Sequence, residues 1–86
     1  MPDYRITFAR SARRELESLD PPVARRVLAA IERLQTNPRP SGCVKLTGSR
    51  NDWRIRVGDW RVIYSIDDSA ETVDVSAIRH RSDAYR

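Results

Sequence analysis

Cysteine and histidine are almost missing from this chain of 86 residues, which contains one of each, Cys43 and His80. A single cysteine cannot close an intramolecular disulfide, and a structural zinc site needs a cluster of these two residue types. The sequence also has no glycine-rich phosphate loop, no paired carboxylates with metal-ligand spacing and no GxSxG nucleophile motif. We therefore expect a protein that uses no metal and no cofactor.

Long apolar runs are missing as well. The N-terminal residues Met-Pro-Asp-Tyr-Arg are not followed by the apolar core of a signal peptide, and no run approaches the length of a transmembrane helix. We expect a cytoplasmic protein with no membrane association. The length suffices for one small domain, 1–86, and leaves no room for a second.

Lysine is nearly absent, although the chain is basic. Of the 16 basic residues, all except Lys45 are arginines. The formal net charge is +4 and the sequence pI is about 10, which favours an anionic partner. Arginine offers a planar fork that pairs with phosphate through two hydrogen bonds. A solvated basic surface explains the charge equally well, so the positions of the arginines matter more than their number.

The spacing of apolar residues predicts an α+β fold that begins with a strand and two helices. Residues 3–8 alternate as a strand does, and the period then changes to that of a helix from Ala9 to Leu19. Asp20 is a typical N-cap for a second helix, and Pro21 suits its first position. The two helices, joined by a tight proline turn, should form an αα-hairpin.

Four β-rich segments follow the helices. They cover 44–46, the two arms of a hairpin within 53–66, and 72–78. Short turns favour antiparallel pairing, so we expect a three- to four-stranded antiparallel sheet with the helices on one face and the other face open. In the last strand, Val73, Val75 and Ala77 should share a face.

The hairpin places several arginines on one side of the sheet. The apolar residues of its first strand share one face, whereas Arg54 and Arg56 share the other, and Arg61 returns on the second strand. A single exposed arginine balanced by nearby carboxylates is the more common explanation. Three arginines on adjoining strands, together with Arg79 directly after the last predicted strand, favour an anion site. Such fixed guanidiniums can stabilise the charge of a phosphorane-like transition state.

The C-terminal segment adds candidates of a different kind. Arg79, His80 and Arg81 are basic, and Tyr85 can stack on a base, as single-stranded RNA is usually held. Histidine is the residue type that titrates near neutral pH, so His80 is a candidate for proton transfer. An exposed basic tail is the simpler interpretation of this segment.

Three segments together resemble the RelE/ParE superfamily of bacterial toxins. They are KLTG at 45–48, WRIRVGDWRVIY at 53–64 and IRHRSDAY at 78–85. The last of these is similar to the RelE branch. The resemblance implies a microbial-RNase-like fold and a metal-free endoribonuclease that cuts mRNA in the ribosomal A site. It also implies the partners: a RelB-like antitoxin, the ribosome with its mRNA, and promoter DNA only through the antitoxin.

The resemblance also implies residue roles. Arg54, Arg56, Arg61, Arg79 and Tyr85 match the family's catalytic positions. The RNA contacts that it implies are Lys45, Arg54, Arg56 and Arg81. The best-studied members carry lysines where this chain has Arg54 and Arg56.

That departure affects the proton transfer. Arginine stays protonated and cannot act as a base, so Tyr85, His80 or a group of the RNA or ribosome would have to take the proton. Two alternatives stay open: a ParE-like gyrase inhibitor without nuclease activity, and an inactive relative that binds RNA or antitoxin.

Overall fold

The computed structural model describes residues 3–49 and 51–84, in which two helices and a short third one accompany a five-stranded sheet. The elements in chain order are β1 (Arg5–Phe8), α1 (Arg10–Glu17), α2 (Pro21–Arg33), β2 (Val44–Lys45), β3 (Asp52–Val57), β4 (Trp60–Asp67), β5 (Thr72–His80) and α3 (Arg81–Ala84). The spatial order of the strands is β1-β5-β4-β3-β2. Only β1 pairs parallel, with β5, and the other pairs are antiparallel. The predicted α+β fold is confirmed.

The helices form where the sequence changes to a helical period. Pro21 occupies the first turn of α2, where its missing N–H costs nothing. Asp20 holds the predicted N-cap position, although its side chain makes no capping hydrogen bond. α2 ends at Arg33, and Leu34 occupies its C-cap position.

The core lies between the two long helices and one face of the sheet. Val27, Ile31 and Leu34 are fully buried against apolar residues of β4 and β5. Tyr64 is also fully buried, and its hydroxyl donates to the carbonyl of Pro38 at 2.7 Å. The tryptophans of β3 and β4 pack against the same cluster. We call the opposite side of the sheet the open face.

A polar contact joins three distant segments at one end of the sheet. The Asp68 carboxylate accepts from the Tyr4 hydroxyl at 2.7 Å and from Arg39 Nη2 at 2.9 Å. The hydrogen bonds from Arg39, and then from Tyr4, lower the pKa of Asp68. The guanidinium of Arg39 also stacks over the Trp53 ring, 5.2 Å from its centroid. This contact ties β1 and the loop after α2 to the β4–β5 turn.

A β-bulge changes the phase of β5. Val75 pairs with Tyr64, and Ala77 pairs with Ile63, the preceding residue of β4. Ser76 is therefore an extra residue that is paired with no residue of β4 in the register. The prediction that Ala77 shares a face with Val75 is therefore wrong. Beyond the bulge, Ile78 takes the core side and is 2% exposed. The β5 side chains from Ala77 to His80 therefore point opposite to the direction that strict alternation predicts.

Candidate anion-binding site on the open face

Three arginines lie side by side on the open face. Arg56 pairs with Arg61 across β3 and β4, and Arg61 pairs with Arg79 across β4 and β5. Residues directly opposite in an antiparallel sheet share a face, with Cβ atoms roughly 5 Å apart. We call Arg56, Arg61 and Arg79 the arginine row.

The tight turn between β3 and β4 sets the first half of this register. Gly58 and Asp59 form a two-residue connection, so Val57 faces Trp60 and Arg56 faces Arg61. Gly58 has a φ of +59°, which a residue without a Cβ adopts at little cost. The hairpin predicted within 53–66 is therefore confirmed.

The bulge at Ser76 sets the second half. Without it, Arg79 would continue the alternation of Val73 and Val75 and point towards the helices. Arg79 was expected directly after the last strand. β5 continues to His80, however, so Arg79 lies within the strand. The structure thus brings Arg79 next to Arg61 by a register shift that alternation does not predict.

The three guanidiniums differ in their surroundings. Arg61, in the middle, is 7% exposed, and its Nη1 donates to the Trp60 carbonyl at 3.2 Å. Arg56 is exposed, and its Nε donates to the Gly58 carbonyl at 3.3 Å. Guanidiniums of paired residues on one face repel each other, so the row favours an anion that neutralises it.

The two other basic residues of β2 and β3 lie on opposite faces of the sheet. Arg54 is half-buried and shares the open face with Arg56, two residues away on β3. Lys45 pairs with Trp53 and therefore lies on the helix side of the sheet edge. Of these two predicted RNA contacts, the structure brings Arg54 to the row and not Lys45.

His80 is separated from the row by the strand itself. It pairs with Trp60, on the helix side, and the two rings meet edge to face with centroids 5.3 Å apart. Its Nδ1 accepts from the backbone N–H of Ser82 at 3.3 Å. The histidine proposed for proton transfer therefore does not face the guanidiniums.

The C-terminal segment starts close to the hairpin turn. The backbone N–H of Arg81 donates to the Asp59 carbonyl at 2.7 Å, and the side chain of Arg81 is exposed. The four-residue helix α3, which the sequence pattern did not predict, begins there. Tyr85, the predicted stacking residue, lies outside the described residues.

Glu15 is a contact residue of the row that sequence reasoning missed. Its Oε2 forms an ion pair with Arg79, and its Oε1 accepts from the backbone N–H of Ile78 at 2.9 Å. Glu15 follows the fully buried Ala12 by three residues, so both lie on one helix face. A carboxylate on the buried face of α1 is the sequence signal that could have indicated this contact.

Two further observations concern metal clusters and membrane-spanning helices among the described residues. Within 3–49 and 51–84, no three His, Cys, Asp or Glu side chains gather as a metal site requires. In the same part of the chain, no helix has the length and apolarity needed to cross a membrane. The open face offers fixed guanidiniums, which suit the binding of phosphate oxygens.

Fold and site together define a small basic α+β protein with an arginine-lined sheet face. A family model described as "ParE toxin of type II toxin-antitoxin system, parDE" matches residues 6–85. The chain belongs to the RelE/ParE superfamily of type II toxin–antitoxin toxins.

Individual relatives agree with this assignment. Toxin RelG of Mycobacterium tuberculosis is 33% identical over 88 residues, covering 96% of this chain and 97% of RelG. The archaeal RelE–RelB complex from Pyrococcus horikoshii contains a chain 28% identical, with a TM-score of 0.82 and coverages of 93% and 97%. A chain of the RelBE2 toxin–antitoxin complex from M. tuberculosis is 30% identical, with a TM-score of 0.79 and coverages of 94% and 100%.

Proposed function

We propose that this chain is a ribosome-dependent endoribonuclease that cuts mRNA in the A site. The observation that carries the proposal is the arginine row, with three guanidiniums in register and the central one almost buried. Guanidiniums held in a row by the sheet suit an anionic transition state, because they are already in place when its charge develops. Acting on ribosomes, the toxin would work in the cytoplasm.

The proposed reaction is an attack of the 2′-hydroxyl on the adjacent phosphate, leaving a 2′,3′-cyclic phosphate and a 5′-hydroxyl. The nucleophile and the electrophile both belong to the RNA, so the protein contributes orientation and charge. Arg61 would contact the scissile phosphate and Arg79 the leaving-group side. Arg54 and Arg56 would neutralise the developing charge, and no metal is needed for these roles.

Proton transfer is assigned outside the row. Guanidiniums stay protonated at neutral pH and cannot accept the proton of the 2′-hydroxyl. Tyr85 would stack on a base and orient the hydroxyl, and either Tyr85 or a group of the RNA or ribosome would take the proton. His80, on the helix side of β5, is not given this role. Arg81 would contact a flanking phosphate, whereas Lys45, on the helix side of the sheet, is not given this role.

A RelB-like antitoxin is the proposed protein partner. The relatives from P. horikoshii and M. tuberculosis form RelE–RelB and RelBE2 complexes. An acidic or amphipathic antitoxin segment would cover the arginine row or add to a sheet edge. Promoter DNA would be bound only through the antitoxin.

Primer extension on mRNA held by programmed ribosomes tests the proposal. The purified toxin should produce cuts at the A-site codon, and Arg61→Ala should slow the cutting by about 10²- to 10³-fold. Arg25→Ala, on the exposed side of α2, should leave the rate unchanged. An absence of A-site cuts, together with inhibition of gyrase supercoiling, would refute the nuclease assignment.

A further inference from the structure

Glu15 fixes the end of the arginine row through two contacts. Its Oε2 pairs with Nη1 of Arg79, and its Oε1 accepts from the backbone N–H of Ile78 at 2.9 Å. The side chain of Glu15 is 27% exposed, whereas that of Arg79 is 43% exposed. One carboxylate thus contacts both the strand and the guanidinium of the next residue.

The topology explains why a carboxylate stands at this point. β1 pairs with β5 only as far as Phe8 and Val75, and the last bond of this edge runs from the Ala9 N–H to the Val75 carbonyl. The chain then enters α1, which runs along the remainder of β5. The N–H of Ile78 has no neighbouring strand on that side, and Glu15 supplies the acceptor. The backbone bond holds the carboxylate in place independently of Arg79.

We propose that Glu15 is the positioning residue for Arg79 in RNA cleavage, an inference that rests on the proposed nuclease function. An arginine side chain has many rotamers, and an exposed one must be ordered before it can bind a phosphate. The fixed carboxylate engages Nη1 and leaves the other guanidinium donors available. Arg61 needs no such help, because burial already holds it.

The charge of Glu15 makes its role separable from simple RNA attraction. A carboxylate beside the row weakens the binding of polyanions, so removing it should not weaken ground-state RNA binding. If Glu15 orients Arg79 for the transition state, its removal lowers the rate of the chemical step. The expected signature is a fall in kcat without a rise in the half-saturating ribosome concentration.

Glu15→Gln is the informative variant, with Glu17→Gln as its matched control. The amide oxygen can still accept from the Ile78 N–H, while the charge that pairs with Arg79 is lost. Glu17 lies exposed on the same helix. On programmed ribosomes, Glu15→Gln should lower kcat about tenfold and leave the half-saturating concentration equal or lower, and Glu17→Gln should match the wild type. An unchanged kcat, or a fall that a lower melting temperature fully explains, would overturn the inference.

A measurement without catalysis separates this inference from the proposed function. The ¹⁵N–¹H Nε signal of Arg79, assigned by its loss in Arg79→Lys, reports the order of the guanidinium. Its heteronuclear NOE should be high in the wild type and fall in Glu15→Gln to the level of an exposed arginine. Equal values in the two proteins would refute the positioning role, even if the wild type cuts RNA. A wild type that fails to cut would instead refute the nuclease function.

Discussion

Replacing Arg56 by methionine tests whether the arginine row contacts the RNA backbone. Arg56 is the exposed member of the row, and its contact within the chain is the 3.3 Å bond from Nε to the Gly58 carbonyl. Methionine keeps most of the side-chain length and removes the charge. We expect little change in stability, since exposed substitutions usually fall within about 0.5 kcal/mol. The effect on RNA binding should appear in its salt dependence.

The size of the effect follows from the number of guanidiniums proposed to contact phosphates. Arg54, the three residues of the row and Arg81 give about five contacts, and single-stranded RNA releases about 0.7 counterions per contact, so log K should fall with log[salt] at a slope of about −3.5. For Arg56→Met, with about four contacts, the slope should be about −2.8. Raising the salt from about 50 to about 200 mM should weaken binding about 130-fold for the wild type and about 50-fold for the variant.

Fluorescence anisotropy with a labelled single-stranded RNA across a salt series provides the assay. Arg25→Met is the control, because it removes the same charge from the exposed side of α2. The control should keep the wild-type slope. Equal slopes for the wild type and Arg56→Met, or an equal reduction in the control, would show that the RNA does not lie along the row.

Two further predictions concern the stability of the scaffold. Tyr64→Phe removes the hydroxyl that donates to the buried Pro38 carbonyl at 2.7 Å. The free energy of unfolding, measured in urea, should therefore fall by about 1–2 kcal/mol. An unchanged urea midpoint would contradict this. Asp68→Asn tests the stability in acid. Hydrogen bonds from Arg39 and Tyr4 make the pKa of Asp68 lower in the folded protein than in the unfolded chain. The ionised carboxylate therefore stabilises the fold above the unfolded pKa, and this stabilisation is lost as the pH falls through the folded pKa. Between about pH 5 and pH 2, the melting temperature should therefore fall less in Asp68→Asn than in the wild type, and parallel curves would contradict the role of this contact.

Local sequence patterns predicted the elements that depend on local chemistry. The change from a period of two to a helical period located β1 and α1, and Pro21 marked the start of α2. The hairpin predicted within 53–66 forms with its turn at Gly58-Asp59, and Arg61 returns on its second strand as expected. In each case the deciding interactions lie within a few residues along the chain.

Long-range contacts decided what the patterns did not predict. The parallel pairing of β1 with β5 joins residues near the two ends of the chain. Glu15 meets Arg79 only because α1 lies along β5. The bulge at Ser76 depends on how Val75 and Ile78 pack into the core, and no local residue preference marks it. The position of Arg79 therefore required the assembled sheet.

The bulge at Ser76 absorbs one extra residue of β5 without changing which side chains face the core on either side of it. Ser76 is exposed, and its Oγ donates to the Ile63 carbonyl at 3.1 Å. A deletion of Ser76 would restore strict alternation and would leave Ile78 facing the core and Arg79 opposite Arg61. The bulge is therefore what allows a strand that is one residue too long for strict alternation to keep its apolar side chains inside and its charge on the open face.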